Sequence, residues 1–86
     1  MQGDSMVRSR LKVVLAEHNM ARLHAGQEPL KIRDLADEIH LSPSVITGLT
    51  SGRAKRVDFM TLDKLCKRLH CTPGDILVFA DEEIAE

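Results

Sequence analysis

Apolar residues recur at three- and four-residue intervals along most of the chain, separated by Gly, Pro and short polar residues, and this pattern predicts five helices. In the first, Val7, Leu11, Val14, Leu15 and His18 share a face and Ser5 stands where it can cap the opening turn. That helix can run on through Met20 and Leu23 toward Ala25, where Gly26 and then Pro29 stop it, leaving His24–Leu30 as a loop. Leu35, Ala36 and Ile39 mark a short second helix. Ser42 caps a third, which starts at Pro43 because a missing N–H costs nothing there, faces inward with Val45 or Ile46 and with Leu49, and ends at Gly52. Asp58 caps a fourth with Leu62, Leu65, Cys66 and Leu69 in register, closing near His70. Thr72, Pro73 and Asp75 make the start signal of a fifth, with a capping box between Thr72 and Asp75 and with Ile76, Leu77 and Phe79 along it.

Composition narrows this to an all-α, compact five-helix bundle. A chain of 86 residues without Trp or Tyr, and with two Phe, builds its core from Leu, Ile, Val, Ala and Met, and it has little room for an active-site cleft. One domain is expected over residues 5–80. Residues 1–4 read as a disordered terminus or vector remnant, and residues 81–86 as an acidic, disordered tail.

Net charge alone is uninformative at −1, but its distribution is not. Up to residue 58 there are nine Lys/Arg against seven Asp/Glu, and beyond it three against six, four of them (Asp81, Glu82, Glu83 and Glu86) in the tail. Cation excess therefore lies in the segment that holds the second and third helices. Two cysteines, Cys66 and Cys71, are too few for a disulfide framework, and the sequence shows neither a signal peptide nor an apolar run of membrane-spanning length. The expectation is a cytoplasmic protein.

Two short helices joined by a tight turn and followed by a basic loop form a helix-turn-helix, a unit that lays one helix in the major groove of DNA while the other crosses the backbone. Within "IRDLADEIHLSPSVITGLTS", Leu35, Ile39, Leu41, Ile46 and Leu49 fall where both helices face the core, and Ala36 falls at their crossing, where a small side chain is required. Through "IRDLADEIHLSPSVITGLTSGRAKRVDFMTLDKLCKRLHCTPGDIL", just over half of its length, the chain resembles the Cro/phage-repressor (XRE-like) helix-turn-helix family. The resemblance rests on Ala36, on Ser42, on the Leu49-to-Gly52 exit, and on "TLDKLCKRLHCTPGDIL".

The resemblance implies a lambda-repressor-like DNA-binding domain, a sequence-specific transcription regulator of the repressor kind. It would be bacterial or phage-encoded and nucleoid-associated, a homodimer on an operator of two half-sites in double-stranded DNA. Carried over by position, Ser42, Pro43, Ser44, Thr47 and Gly48 face the bases. Ser51, Arg53, Lys55 and Arg56 lie along the phosphates, Lys31 and Arg33 take the place of the family's usual polar phosphate contact, and Arg8 and Arg10 are further phosphate candidates. The base-facing set is short and lacks the Arg, Gln or Asn that make bidentate base contacts, so selectivity leans on DNA shape, water or arms outside the helix. The chain departs from the family pattern at His40, where a left-handed Gly is usual, and in an insertion at 21–28, "ARLHAGQE". Because the fold also serves in protein docking, an antitoxin-like interaction module is the alternative, with Ile32, Leu77, Val78 and Phe79 as its contact surface; those last three residues are equally suited to the core or to a dimer seam.

Other chemistries lack their residues. Cys66 and His70 are four apart, but a structural zinc needs four ligands and Cys66 falls on the apolar stripe. His18, His24, His40 and His70 have no nucleophile motif beside them, and "GRAKR" lacks phosphate-loop spacing, so neither an enzyme nor a cofactor is expected.

Overall fold

The computed structural model describes residues 7–79. Its elements are β1 (Val7–Ser9), α1 (Leu11–His24), α2 (Ile32–Ile39), α3 (Pro43–Ser51), α4 (Phe59–Leu69), α5 (Pro73–Ile76) and β2 (Leu77–Phe79). The largest fully buried side chains come one from each helix: Leu11, Leu35, Ile46, Leu65 and Ile76. Leu15, Leu30, Ala36, Leu49, Leu62 and Leu69 complete much of the surrounding core. In α3 the inward position is Ile46, while Val45 remains exposed.

Among the described residues there are five helices, but a strand at either side of them corrects the all-α expectation. Val7, expected on the first helix, is in an extended strand that pairs antiparallel with β2, with Val7 opposite Phe79, Arg8 opposite Val78 and Ser9 opposite Leu77. The proposed cap at Ser5 lies outside the described residues; Ser9 Oγ instead accepts the Leu11 N–H at 3.2 Å. The fifth helix stops at Ile76, because Leu77 is already extended at φ −116° and ψ 127°. Leu77 and Phe79, expected on that helix, therefore lie on β2. Pairing explains both differences: Val78 and Phe79 are good strand formers, and even a partner strand three residues long outweighs the short helical pattern at each place. The Arg10 N–H donates to the Ile76 carbonyl at 2.5 Å, joining the start of α1 to the end of α5 beside the sheet.

Helices α1 to α4 end alike. Gly26, His40, Gly52 and His70 are left-handed, with φ of 79°, 60°, 82° and 57°. In each case the next residue returns its N–H to a carbonyl five positions back: Gln27 to Arg22, Leu41 to Ala36, Arg53 to Gly48, and Cys71 to Cys66, at 2.8 to 3.1 Å. Such closures satisfy carbonyls that the helix itself leaves open and reverse the chain within two residues. At the opposite ends, Ser42 Oγ accepts the Ser44 N–H, and Asp58 accepts from the hydroxyl and N–H of Thr61, which holds its carboxyl below the usual range. The Thr72 N–H and hydroxyl donate to Asp75 and lower that carboxyl in the same way.

Segment 21–28, expected to be an insertion, continues α1 through His24 and is then held back against it. Asn19 on α1 takes the Leu30 N–H on Oδ1 at 2.7 Å and donates from Nδ2 to the Leu30 carbonyl at 3.2 Å. Arg22 Nε donates to the Glu28 carbonyl at 2.7 Å, so Leu30 arrives buried and α2 starts in a fixed place. Between α2 and α4, Arg68 Nε pairs with Glu38 and lowers the Glu38 carboxyl.

Two outcomes follow for stability. Asn19→Ala strands both polar groups of Leu30 and should cost about 1–3 kcal/mol, lowering the midpoint by roughly 5–15 °C in thermal unfolding. Ala36→Leu, at a fully buried crossing of α2 and α3, should cost on the order of 1–3 kcal/mol through overpacking, and an unchanged melting temperature would refute that placement.

Candidate nucleic-acid interface

The N-terminus of α3 is polar and open. Ser42, Pro43 and Ser44 are exposed, with the Ser42 and Ser44 hydroxyls 2.7 Å apart, while Thr47 and Gly48 one turn later are half-buried. Thr50 Oγ1 donates to the Thr47 carbonyl at 3.1 Å, which leaves the Thr47 hydroxyl uninvolved in that bond. This face therefore offers small hydroxyls and bare backbone, a surface that allows close approach but supplies no long bidentate reader.

Gly48 ties the helix to the basic loop. Its carbonyl accepts the N–H of the capping Gly52, then those of Arg53 at 3.1 Å and Ala54 at 3.0 Å, and also the Ser51 hydroxyl at 3.3 Å. Ser51 Oγ in turn accepts the Arg53 N–H at 3.4 Å. A β-carbon on Gly48 would meet the Ala54 Cβ at 3.6 Å, an ordinary contact, so the fold does not itself require glycine there. Ser44, Val45 and Gly48 on one side and Arg53, Lys55 and Arg56 on the other border an open concavity of about 540 Å³. Arg53 is thus tied beside the outer face of α3 by its backbone N–H, Lys55 and Arg56 follow within three residues, and all three side chains are exposed.

The remaining candidates stand elsewhere. Lys31 is the residue before α2 and Arg33 lies in its first turn, both exposed, and Lys31 provides no side-chain cap. Arg8 is exposed on β1. Arg10 borders a second depression of about 290 Å³ with Glu17, His18, His70, Cys71 and Asp75, which shares no residue with the α3 concavity. In that depression burial, followed by the nearby Arg68, Arg22 and His70, pushes the His18 imidazole below its ordinary value. Among the described residues, no three His, Cys, Asp or Glu side chains are gathered to hold a metal, and no helix is long and apolar enough to cross a membrane.

Sequence reasoning missed Ala54, whose small side chain lets the basic loop lie against Gly48. A glycine and an alanine six apart across a helix exit are a weak signal, and only the bonds to the Gly48 carbonyl give it meaning.

The profile of the family described as Cro/C1-type HTH DNA-binding domain matches residues 10–82. An uncharacterized HTH-type transcriptional regulator of Bacillus subtilis (strain 168), YozG, is 32% identical over 58 residues, covering 67% of this chain and 69% of YozG. No solved structure gives a significant match. The matched span takes in α1 to α5 together with the loop at 53–56, so the geometry and the comparison concern the same residues, and the chain belongs to the Cro/C1-type helix-turn-helix DNA-binding family.

Proposed function

We propose that this protein is a sequence-specific transcription regulator, a lambda-repressor-like domain that inserts α3 in the major groove and acts as a repressor. The observation that carries this reading is the Gly48 carbonyl, which anchors the cation-bearing loop against the most open face of α3. A helix of small polar residues flanked by fixed cations fits a groove whose walls are phosphates.

In this reading Ser42, Pro43, Ser44 and Thr47 face base edges, and Gly48 allows backbone and groove to come close. Arg53, Lys55 and Arg56 neutralise phosphates beside α3, with the Ser51 hydroxyl at the same turn, and Lys31 and Arg33 do so from the start of α2. Arg8 and Arg10 are the outer members of the phosphate set, and Arg10, standing among Glu17 and Asp75, contributes least. Hydroxyls discriminate bases weakly, so shape and water carry much of the selectivity. The protein acts as a homodimer on two half-sites at the bacterial nucleoid.

One observation favours a second reading, protein docking through the same domain: Phe59 and Met60, directly after the basic loop, are 88% and 66% exposed. DNA binding and docking differ in their response to salt and to changes on α3.

Arg53→Ala and Arg56→Ala should weaken binding to all duplexes alike and flatten the dependence of log Kd on log salt by about one unit per lost contact. Unaltered affinity and slope in a salt-titrated binding assay would remove the phosphate assignment. Gly48→Ala relieves a helical glycine without a clash and should stabilise the fold by about 1 kcal/mol, yet weaken binding to a selected operator. Ser44→Ala and Thr47→Ala should lower discrimination between operator and random DNA more than they lower non-specific affinity. If all three variants bind the operator as the parent does, α3 does not read DNA and docking becomes the better account.

A further inference from the structure

We infer that Cys66 and Cys71 form a reversible disulfide within one chain, making the turn between α4 and α5 a site of oxidative modification. Cys66 lies in the last turn of α4, and Cys71 follows the left-handed His70. The Cys71 N–H donates to the Cys66 carbonyl at 3.0 Å. Such a closure turns the side chains of its two linked residues toward one another, the relation usually filled by an apolar contact. At the matching position after α2 that pair is Ala36 and Leu41, whereas here both members are thiols.

The Cys66 side chain lies near enough to the Cys71 thiol to be among the causes that push it up, after burial. A disulfide needs two Cβ atoms about 4 Å apart and facing each other, and the bond from the Cys71 N–H to the Cys66 carbonyl brings these two residues to the same closed turn. Neither cysteine is sealed off: both are half-buried, and Cys71 borders the depression that contains Arg10, His18 and Asp75.

The oxidant is a hydroperoxide, reaching the pair from solvent. Burial, followed by the neighbouring Cys66 and Asp75, pushes the Cys71 thiol up to about 11, so Cys71 keeps its proton near neutrality and Cys66 is the attacking sulfur. Cys66 Sγ takes the distal oxygen of the peroxide, whose O–O bond breaks to release hydroxide, and becomes a sulfenic acid. Cys71 Sγ then attacks that sulfur, the S–OH bond breaks, and the departing hydroxide accepts the Cys71 proton as water. For hydrogen peroxide the two thiols lose two protons and two electrons, the peroxide gains them, and two waters leave. A cellular thiol reverses the bond by exchange.

The pair lies away from α3 and the basic loop, so its test does not depend on the DNA reading. The reduced full chain is treated with one equivalent of hydrogen peroxide, then examined by intact mass under denaturing conditions, by thiol alkylation and by thermal unfolding. Monomeric protein should lose about 2 Da, with both thiols closed to alkylation together. The midpoint should rise by on the order of 5–10 °C through the short closed loop and return on addition of a dithiol reductant. Cys71→Ser should stop at a sulfenic acid, a gain of about 16 Da on Cys66. Cys66→Ser should oxidise more slowly than the parent. The inference is overturned if the parent keeps two alkylatable thiols, forms only linked dimers, or gains oxygen on both sulfurs without closing the bond.

Discussion

Short helices leave a large share of their carbonyls without partners, and a chain with four such helices in fewer than sixty residues must satisfy them while turning back on itself. Here one device does both, a left-handed residue followed by a bond to the carbonyl five positions back, used at the ends of α1, α2, α3 and α4. Everything downstream depends on the direction each closure imposes. After α2 it brings Leu41 toward Ala36 and starts α3 across a residue with no side chain beyond Cβ. After α3 it hangs the cation-bearing loop on Gly48. After α4 it links the backbone of Cys71 to that of Cys66 and hands the chain to Asp75 and α5.

The closing residue is glycine after α1 and α3 and histidine after α2 and α4. Glycine adopts a positive φ freely, whereas histidine enters the left-handed region at some steric expense, though it is among the side chains enriched there. Histidine appears where an apolar or thiol contact between the linked residues helps to hold the turn, and glycine where the loop beyond is exposed. The domain thus backs its two exposed histidine turns with half-buried Leu41 and Cys71, and leaves the turn at Gly52 open beside the proposed DNA surface.

Electrostatics follow the same division. The carboxylates Glu38, Asp58 and Asp75 are satisfied locally, Glu38 by Arg68 between helices and Asp58 and Asp75 on the first turns of α4 and α5. The loop at 53–56 is instead anchored by the backbone bonds of Arg53 and Ala54 to Gly48, while its cationic side chains face solvent. Cations arranged in that way act through counterion release and orientation, which suits a polyanion better than a single carboxylate partner. With no long polar side chain at the start of α3, close approach and duplex shape become the means of selection.

Periodicity and capping residues located the five helices among the described residues and the core residues Leu35, Leu65 and Ile76, left Val45 and Ile46 as alternatives, and needed the family resemblance to mark the left-handed turn at His40 and the loop at 53–56. What they did locate depends on neighbours within a few positions. The family was legible for the same reason: its signature is a run of core spacings and caps. What failed at the sequence level was everything that needs a distant partner. Val7–Ser9 and Leu77–Phe79 form strands only because each meets the other, Leu30 is buried only because Asn19 reaches eleven residues forward to both its polar groups, and the insertion at 21–28 is anchored by bonds no pattern announces. Ala54 against Gly48, and Cys71 against Cys66, likewise gain their meaning from where a closed turn places them. Local sequence determined which segments are helical and where they stop. Tertiary structure decided which side chains then meet, since that depends on the direction the chain takes after each helix ends.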